Sequence, residues 1–327
     1  MTPQQLRALR EGLRVFPGAQ PPDPLQRAFC RFYGIDFEDR LPGVEYRVGA
    51  VSSGAYTLAV HRWTQANARS NLLLVHGYFD HSGLFAKLIE HGLSRGCNVV
   101  IFDLPGHGLS SGEPAAIDDF ADYGRAIRAV LEAAQLPALP LWVMAQSTGC
   151  AALVEYARNY SWPFAAVVLL APLLRPVGWR WARLSHSLLG SFTGSIERKF
   201  APNSSDLEFL RFLRRDPLQS QRLSMRWVTA LRNWIDSLPP QDLGVGPALI
   251  VQGDADHTLD WRYNVGFYRE LFPGSSLKML AGAGHQLANE SVALRRIYLE
   301  GVDAWLAGRG LPQAAAGNGR KAARRPK

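Results

Sequence analysis

The hexapeptide A-Q-S-T-G-C, residues 145–150, places a serine between a short apolar run and a helical pattern. The run LWVMAQ predicts a buried strand, and the residues after Ser147 predict a helix with an apolar face. A serine at such a junction lies on a tight turn with its hydroxyl exposed above the sheet. Gly149 leaves the space that a closely approaching strand and helix need, while Ala145 replaces the first glycine of the pattern G-x-S-x-G. The sequence therefore predicts Ser147 as the nucleophile of an acyl-transfer reaction.

A serine nucleophile needs a base and an acid that orients the base. His285 lies in the glycine-rich stretch AGAGHQ, and it follows both the serine and an acidic loop in the chain. That loop, GDADHTLD, holds three candidate acids, which are Asp254, Asp256 and Asp260. Asp256 fits the acid position best, Asp254 is the second candidate, and Asp260 is expected to cap the helix that follows. We expect Ser147, Asp256 and His285 to form the catalytic set.

Two backbone amides are expected to hold the oxyanion that forms in such a reaction. The motif HGYFDHSG, residues 76–83, follows the apolar strand pattern NLLLVH, and its glycine lets the chain turn so that the Tyr78 N–H faces the nucleophile. The Thr148 N–H, at the start of the helix after Ser147, is the second expected donor. The remaining histidines of these loops, His76, His81 and His107, are expected to be structural, with the first two bonded to loop backbone.

The elements that would position these residues alternate between short apolar runs and helical patterns. Strands are predicted at 56–63, 71–76, 98–103, 141–146, 165–171, 248–253 and 276–280. Helices are predicted near 83–95, 116–135, 148–160, 261–271 and 288–307. Several strands are continuous apolar runs, which is typical of strands buried on both faces of a parallel sheet. The alternation predicts a doubly wound α/β fold with a mostly parallel sheet flanked by helices.

One segment, residues 173–240, interrupts this alternation, because it shows no clear strand. Its amphipathic pieces at 181–192 and 225–235 predict a helical cap, or lid, inserted into the core. The expected parts of the chain are an N-terminal helical extension (1–40), an α/β core (41–172 and 241–308), the cap (173–240) and a disordered basic tail (309–327).

Several motifs together resemble a known family. HGYFDHSG, DLPGHGLSSG, AQSTG, GDAD and GAGH resemble the α/β-hydrolase superfamily, over residues 45–307. More narrowly, they are similar to the monoacylglycerol lipase/lysophospholipase-like group, which is also grouped with the S33-type serine aminopeptidases. The resemblance implies the α/β-hydrolase fold, Ser147 as nucleophile, Asp256 as acid, His285 as base, and the Tyr78 and Thr148 amides as oxyanion hole. Ala145 departs from the family's glycine, and Leu84-Phe85 stands at the pocket wall where the group often has Arg-Tyr.

Composition limits the class of protein further. A chain of 327 residues that is 47% hydrophobic can form one large α/β domain with an insertion. It has no run of about 18 apolar residues and no apolar signal core at its N-terminus, so we expect a cytoplasmic protein. Three widely spaced cysteines, without a CxxC or Cys/His cluster, predict neither disulfides nor a zinc site. We expect no metal and no organic cofactor.

The net charge of +8 is concentrated in two parts of the chain. Residues 173–240 hold eleven basic and five acidic residues, and the tail 309–327 holds six basic residues and no acidic one. With the cap tryptophans at 179, 181, 227 and 234, this charge suggests peripheral contact with an anionic membrane. In the alternative interpretation, the tryptophans pack the cap onto the core and the charges are solvated; for the tail we prefer solvation. Nucleic acid is not an expected partner, and the sequence gives no oligomeric state.

The residues and the resemblance together predict a serine hydrolase that cleaves carboxylic esters through an acyl-enzyme. The expected substrate is a lipid-like small molecule, a monoacylglycerol or a lysophospholipid. Three alternatives share the fold: an aminopeptidase or amidase, an acyltransferase, and a non-catalytic ligand receptor. The basic cap argues against the first, because a substrate amine calls for an acidic cluster, and the intact Ser147, Asp256 and His285 argue against the last. A haloalkane dehalogenase or epoxide hydrolase would carry an aspartate in place of Ser147.

Overall fold

The computed structural model describes residues 1–16, 21–179, 194–198 and 200–311. Within these residues the strands are β1 (Val44–Ser53), β2 (Tyr56–Gln65), β3 (Ser70–Val75), β4 (Cys97–Phe102), β5 (Leu141–Gln146), β6 (Ala166–Leu170), β7 (Ser195–Glu197), β8 (Arg222–Ser224), β9 (Leu249–Gly253) and β10 (Ser276–Leu280). Eight of them form one sheet in the order β1-β2-β4-β3-β5-β6-β9-β10. β1, β2 and β4 pair antiparallel, and every pairing from β4 to β10 is parallel. The predicted mostly parallel sheet is confirmed.

Helices cover both faces of this sheet. They are α1 (Pro3–Gly12), α2 (Pro24–Tyr33), α3 (Phe37–Arg40), α4 (Ala86–Ser94), α5 (Ala121–Ala133), α6 (Thr148–Asn159), α7 (Leu207–Leu213), α8 (Met225–Ser237), α9 (Trp261–Leu271) and α10 (Val292–Ala307). α4 and α10 begin later than predicted, because short 3₁₀ turns at Ser82–Phe85 and Leu287–Asn289 precede them. No helix in the described part of the chain is long and apolar enough to cross a membrane.

β1 is absent from the predicted strands. Its residues alternate irregularly between buried and exposed, and Gly49 interrupts the apolar pattern. The glycine is there because the N-terminal segment passes close by: a Cβ at Gly49 would lie 2.7 Å from the Arg14 carbonyl oxygen. Ala50 and Phe16 complete this contact, since the Phe16 N–H donates to the Ala50 carbonyl at 2.9 Å. The sequence therefore gives no clear strand pattern for β1, because Gly49 is required by packing against residues much earlier in the chain.

The inserted segment, residues 173–240, is not wholly helical as expected. β7 and β8 form an antiparallel ribbon of three residue pairs, and α8 follows β8 directly. Strands of three residues are too short to leave a period-two pattern, which explains the error. The helix expected over 225–235 is α8, whereas the helix expected over 181–192 lies outside the described residues, as does the tail from residue 312 onward. The division of the chain into extension, core and cap stays a prediction.

The tryptophans of the inserted segment pack against the core. Trp179, Trp227 and Trp234 are all buried, with 4–6% of their surface exposed. The Trp227 ring stacks on the Tyr78 ring with centroids 3.9 Å apart, and the Trp234 Nε1 donates to a carboxylate oxygen of Glu155 at 2.9 Å. These three residues therefore pack onto the core, as the alternative interpretation expected, and contact with a membrane stays a prediction; Trp181 lies outside the described residues.

The end of β9 presses against the loop that carries His285. A Cβ at Gly253 would overlap the Ala283 carbonyl oxygen and lie 2.7 Å from the Gly284 carbonyl oxygen. We therefore expect Gly253→Ala to lower the free energy of unfolding by about 1–3 kcal/mol in urea denaturation followed by circular dichroism.

Gly266→Ala, in the middle of α9, is the matched control. A Cβ there meets nothing within 4 Å, so this change should raise the free energy of unfolding by about 0.4–1 kcal/mol. Equal stability of Gly253→Ala and the wild type would contradict the close contact between the two loops.

Candidate active site

Ser147 lies on a strained turn between β5 and α6. Its φ is 52°, in the left-handed region that residues other than glycine rarely adopt. The turn is held because the Ser147 N–H donates to the Leu170 carbonyl at 2.9 Å and the Ser147 carbonyl accepts from the Cys150 N–H at 2.9 Å. The positive φ falls on the serine, whereas Ala145 is a regular, fully buried residue of β5. Alanine at 145 therefore meets no backbone penalty.

Gly149 allows the first turn of α6 to touch the end of β3. A Cβ at this position would overlap the Val75 carbonyl oxygen and lie 2.8 Å from the His76 carbonyl oxygen. Helix and strand thus meet backbone to backbone, which brings the helix N-terminus and the chain after β3 to the same place. This contact accounts for the small residue that the nucleophile pattern requires after the serine.

The structure brings together the three side chains predicted as the catalytic set. His285 Nε2 lies 3.0 Å from Ser147 Oγ, and His285 Nδ1 lies 2.8 Å from Asp256 Oδ2. All three residues are buried, with 4–7% of their surface exposed. The Nδ1 proton faces the carboxylate, so Nε2 is the nitrogen free to accept the serine proton. The arrangement has the geometry of a nucleophile, base and acid, and the roles themselves stay predictions.

The charges of Asp256 and His285 stabilise each other. Burial alone would raise the pKa of Asp256, but the neighbouring imidazolium charge of His285 and the hydrogen bonds lower this pKa below its usual value. The backbone donors are the Thr258 N–H at 2.8 Å and the Leu259 N–H at 3.1 Å, and the Gln252 side-chain amide donates at 3.2 Å. Burial alone would likewise lower the pKa of His285, and Asp256 reverses the effect, so the pKa of His285 lies above its usual value.

The two competing acids have other roles. Asp254 accepts the Gly282 N–H at 2.7 Å on the exposed side of the loop, and it makes no contact with His285. Asp260 occupies the N-cap position of α9, as expected, but its side chain makes no capping hydrogen bond, so that part of the expectation is wrong. Nowhere in the described part of the chain do three or more His, Cys, Asp or Glu side chains gather as metal ligands would.

The turn Gly77–Asp80, which we call the oxyanion turn, passes directly beside the serine. A Cβ at Gly77 would lie 3.2 Å from Ser147 Cβ, and the Asp80 N–H closes the turn on the Gly77 carbonyl at 3.1 Å. Among the described residues, neither the Tyr78 N–H nor the Thr148 N–H has a hydrogen-bond acceptor. Both amides are therefore available to a ligand at Ser147, and their oxyanion role stays a prediction.

A buried polar cluster that the sequence did not predict surrounds this site. The Gln286 Nε2 donates to Asp80 at 2.6 Å, the Gln146 Nε2 donates to both Gln286 and Asp80, and the Gln146 Oε1 accepts the Ala288 N–H at 2.8 Å. The cluster connects the oxyanion turn, the residue before Ser147 and the residue after His285. Gln146 and Gln286 are each adjacent in the chain to a predicted catalytic residue. This adjacency was the one sequence signal that could have pointed to the cluster.

His76 binds loop backbone, as expected, and His107, which was expected to be structural, also does so. His76 Nδ1–H donates to the Gly77 carbonyl at 2.8 Å, and His76 Nε2 accepts the Leu104 N–H at 2.9 Å. His107 Nδ1–H donates to the Pro105 carbonyl at 2.9 Å. Burial lowers the pKa of both imidazoles to about 4, so they are neutral at physiological pH.

His81 has a partner that the sequence did not reveal. Its Nδ1 accepts the Gly83 N–H at 3.2 Å, but its Nε2 lies 2.7 Å from Asp216 Oδ2, in the inserted segment. The other Asp216 carboxylate oxygen accepts the Tyr33 hydroxyl at 2.7 Å. Burial alone would lower the pKa of His81, but the Asp216 charge and hydrogen bond raise it above its usual value. No local pattern could have identified a partner so distant in the chain.

A mostly parallel sheet with a serine on a strained turn after β5 defines an α/β-hydrolase. The sequence model of the serine aminopeptidase S33 family matches residues 66–292, and the chain belongs to this family. Relatives include mouse monoglyceride lipase, 26% identical over 292 residues (82% of this chain, 92% of the mouse protein). The monoacylglycerol lipase of Mycolicibacterium smegmatis is 24% identical over 270 residues (77% and 94%), and the monoglyceride lipase homolog of Monkeypox virus is 25% identical over 245 residues (72% and 88%).

Solved structures confirm the predicted α/β-hydrolase fold. A soluble variant of monoglyceride lipase from Saccharomyces cerevisiae, in complex with a substrate analog, is similar with a TM-score of 0.68 and 18% identity, covering 80% of this chain and 94% of the yeast chain. The monoacylglycerol lipase of Paleococcus ferrophilus has a TM-score of 0.64 and 21% identity, covering 77% and 99%. The chain is thus a lipase-like α/β-hydrolase, and this class consists of carboxylic ester hydrolases.

Titration of His285 tests the electrostatics of the site. Because Asp256 stabilises the protonated ring, we expect the imidazole resonances of His285 to titrate with a midpoint above 6.5 in NMR spectra of histidine-labelled protein. Asp256→Asn removes the opposing charge and leaves the effect of burial, so the midpoint should fall below 6.5.

Asp254→Asn is the control, since it removes a charge from the same loop without touching His285. A His285 midpoint that moves equally in both variants would contradict a specific interaction with Asp256.

Proposed function

We propose that this protein hydrolyses carboxylic esters of a lipid-like substrate, a monoacylglycerol or a lysophospholipid, through an acyl-enzyme on Ser147. One observation carries the proposal: Asp256, His285 and Ser147 form a continuous hydrogen-bonded line that ends at a serine with φ 52°. The monoglyceride and monoacylglycerol lipases among its relatives support the choice of substrate class. No metal or organic cofactor enters the proposed reaction.

The reaction begins when His285 Nε2 takes the proton of the Ser147 hydroxyl as its oxygen attacks the ester carbonyl carbon. The carbonyl oxygen becomes an oxyanion, which accepts hydrogen bonds from the Tyr78 and Thr148 amides. Loss of one such donor costs about 2.7–4 kcal/mol of transition-state stabilisation. His285 then gives its proton to the leaving alcohol, and the acyl group remains on the serine. Water, deprotonated by the same imidazole, releases the fatty acid and restores the serine.

Asp256 acts on this reaction through His285. Its carboxylate holds the Nδ1 proton, which fixes the ring with Nε2 toward the serine, and it stabilises the imidazolium that forms in both steps. Since the carboxylate is itself held by two backbone N–H groups, it cannot swing away as the ring becomes charged. The acid therefore contributes orientation and charge, and it keeps its own negative charge throughout.

The inserted segment, residues 173–240, is proposed as the lid that covers the acyl chain. Trp227 lies on the Tyr78 ring, which places α8 above the oxyanion turn. Apolar side chains in such a position can bury an acyl chain beside the nucleophile. Contact of the basic lid or tail with an anionic membrane stays a prediction, as does a cytoplasmic location.

An amidase, aminopeptidase or acyltransferase could use the same side chains, so substrate class is tested directly. We expect purified protein to release fatty acid from monoacylglycerols and lysophospholipids of different acyl length, and to leave aminoacyl-p-nitroanilides uncleaved. Higher turnover on the anilides than on the lipids would favour a peptidase. Formation of a second ester at the expense of free fatty acid, when alcohol is added at low concentration, would favour a transferase.

Ser147→Ala tests the nucleophile. Without the hydroxyl no acyl-enzyme forms, so kcat on monoacylglycerol should fall by about 10⁶-fold and labelling by a fluorophosphonate probe should disappear. Ser94→Ala, at the end of α4 and exposed, is the matched control and should keep both activities. Labelling that persists at another residue in Ser147→Ala would reject the assignment.

A further inference from the structure

The oxyanion turn contains a second strained residue. Phe79 has a φ of 67°, at the third position of a turn closed by the Asp80 N–H on the Gly77 carbonyl. This position favours glycine, because a side chain in the left-handed region meets its own backbone. Such conformations are unfavourable and persist only where the surroundings hold them. The turn beside Ser147 is therefore a conformation that something must stabilise.

The inserted segment supplies a hydrogen bond to this strained residue. The Gln219 Nε2 donates to the Phe79 carbonyl oxygen at 2.7 Å, and the Gln219 Oε1 accepts from Arg198 Nη1 at 2.7 Å. Only 6% of the Gln219 surface is exposed. Both ends of its amide are satisfied, so the amide has one orientation in which the nitrogen faces Phe79. We call Arg198 and Gln219 the clamp.

Arg198 completes the contact from the other side. Its guanidinium lies 3.9 Å from the centroid of the Phe79 ring, at the distance of a cation–π interaction. Burial lowers the pKa of Arg198 to about 10, which leaves it charged at neutral pH. The β7–β8 ribbon brings the two clamp residues together, because Arg198 follows β7 directly and its N–H donates to the Gln221 carbonyl at 2.9 Å. Gln219 lies three residues before β8.

Neighbouring residues of the turn are held by the same segment. The Tyr78 ring is covered by Trp227, and His81 is bonded to Asp216. The inserted segment thus contacts the chain at three of four successive residues from Tyr78 to His81. The backbone between these contacts includes the Tyr78 amide, whose N–H has no acceptor among the described residues.

We propose that Gln219, supported by Arg198, is a positioning residue that holds the oxyanion turn in the form in which the Tyr78 N–H faces the reacting carbonyl. With the Phe79 carbonyl released, the turn can relax to a negative φ, which rotates the adjoining peptide group and moves Tyr78. The inference rests on the proposed function, in which the Tyr78 amide stabilises the oxyanion. It makes the inserted segment part of the machinery that sets the rate, in addition to any contact with the acyl chain.

Gln219→Glu is the sharpest test. Glutamate has nearly the same size and keeps a partner for Arg198, but its carboxylate cannot donate to the Phe79 carbonyl. We expect kcat on a short-chain p-nitrophenyl ester to fall roughly ten- to hundredfold, within the loss caused by a misplaced or missing oxyanion donor. KM should stay within about twofold, because the donor acts in the transition state and not on the bound ester.

Gln221→Glu is the matched control. It places the same charge on the same ribbon, on an exposed side chain, and should keep the wild-type kcat. Gln219→Met removes the donor without adding a charge and should match Gln219→Glu if both fold. Thermal melting identifies the variants that fold like the wild type, and only those are compared.

Affinity for an alkyl boronic acid, which forms a tetrahedral adduct with a serine, gives a second readout. We expect it to weaken in the Gln219 variants by the same factor as kcat/KM, while inhibition by the product fatty acid is unchanged. A kcat within twofold of wild type in a folded Gln219 variant, or a raised KM at constant kcat, would overturn the inference. If either result is found while the wild type hydrolyses the ester and Ser147→Ala does not, the proposed function stands and only the inference fails. If the wild type itself shows no Ser147-dependent hydrolysis, the proposed function is rejected.

Discussion

The geometry of the site depends on the backbone contact between α6 and the end of β3. Because Gly149 has no Cβ, the first turn of the helix can lie against the Val75 and His76 carbonyls. The chain passes from β5 into this helix through a positive φ at Ser147, and the oxyanion turn lies so close to the serine that a Cβ at Gly77 would be 3.2 Å from Ser147 Cβ. A helix one methyl group further away would move Ser147 away from the turn.

Ser147 and Phe79 both have a positive φ, and each is held by hydrogen bonds from elsewhere in the chain. The serine turn is anchored on β6, within the core, whereas the Phe79 turn is anchored on the inserted segment. Between them lies the buried cluster of Asp80, Gln146 and Gln286. Burial raises the pKa of Asp80, and the Gln286 amide opposes this by donating to the carboxylate. Buried polar groups that are satisfied in this way rigidify a site, because any displacement leaves a donor or acceptor without a partner.

The features predicted best from the sequence are those that depend on local residue patterns. β3 and β4 are continuous buried runs, and Ser147, Asp256 and His285 each follow a predicted strand at the carboxyl edge of the sheet, so their proximity follows from topology. β1 was missed because its glycine, which weakens the strand pattern, is required by the close packing of the N-terminal segment. The polar cluster and the pairing of His81 with Asp216 were also missed, since they join loops whose relative placement no local pattern encodes. The β7–β8 ribbon was missed because three residues are too few to show a period.

The attachment of Phe79 to the inserted segment has a consequence for how such an enzyme can change its substrate. An insertion that only roofed the acyl chain could be remodelled freely, since its contacts would affect binding alone. Here the residues that flank the β7–β8 ribbon include Arg198 and Gln219, and Gln219 donates to the Phe79 carbonyl of the turn beside Ser147. If the proposed roles of the lid and the turn hold, a change that shifts the ribbon to admit a different acyl chain would also shift the turn and would couple substrate choice to rate. The insertion also reaches the His285 loop, because the Gln286 N–H donates to the Asn203 carbonyl at 2.8 Å, so a shift of this segment would act on the neighbourhood of His285 as well as on the turn.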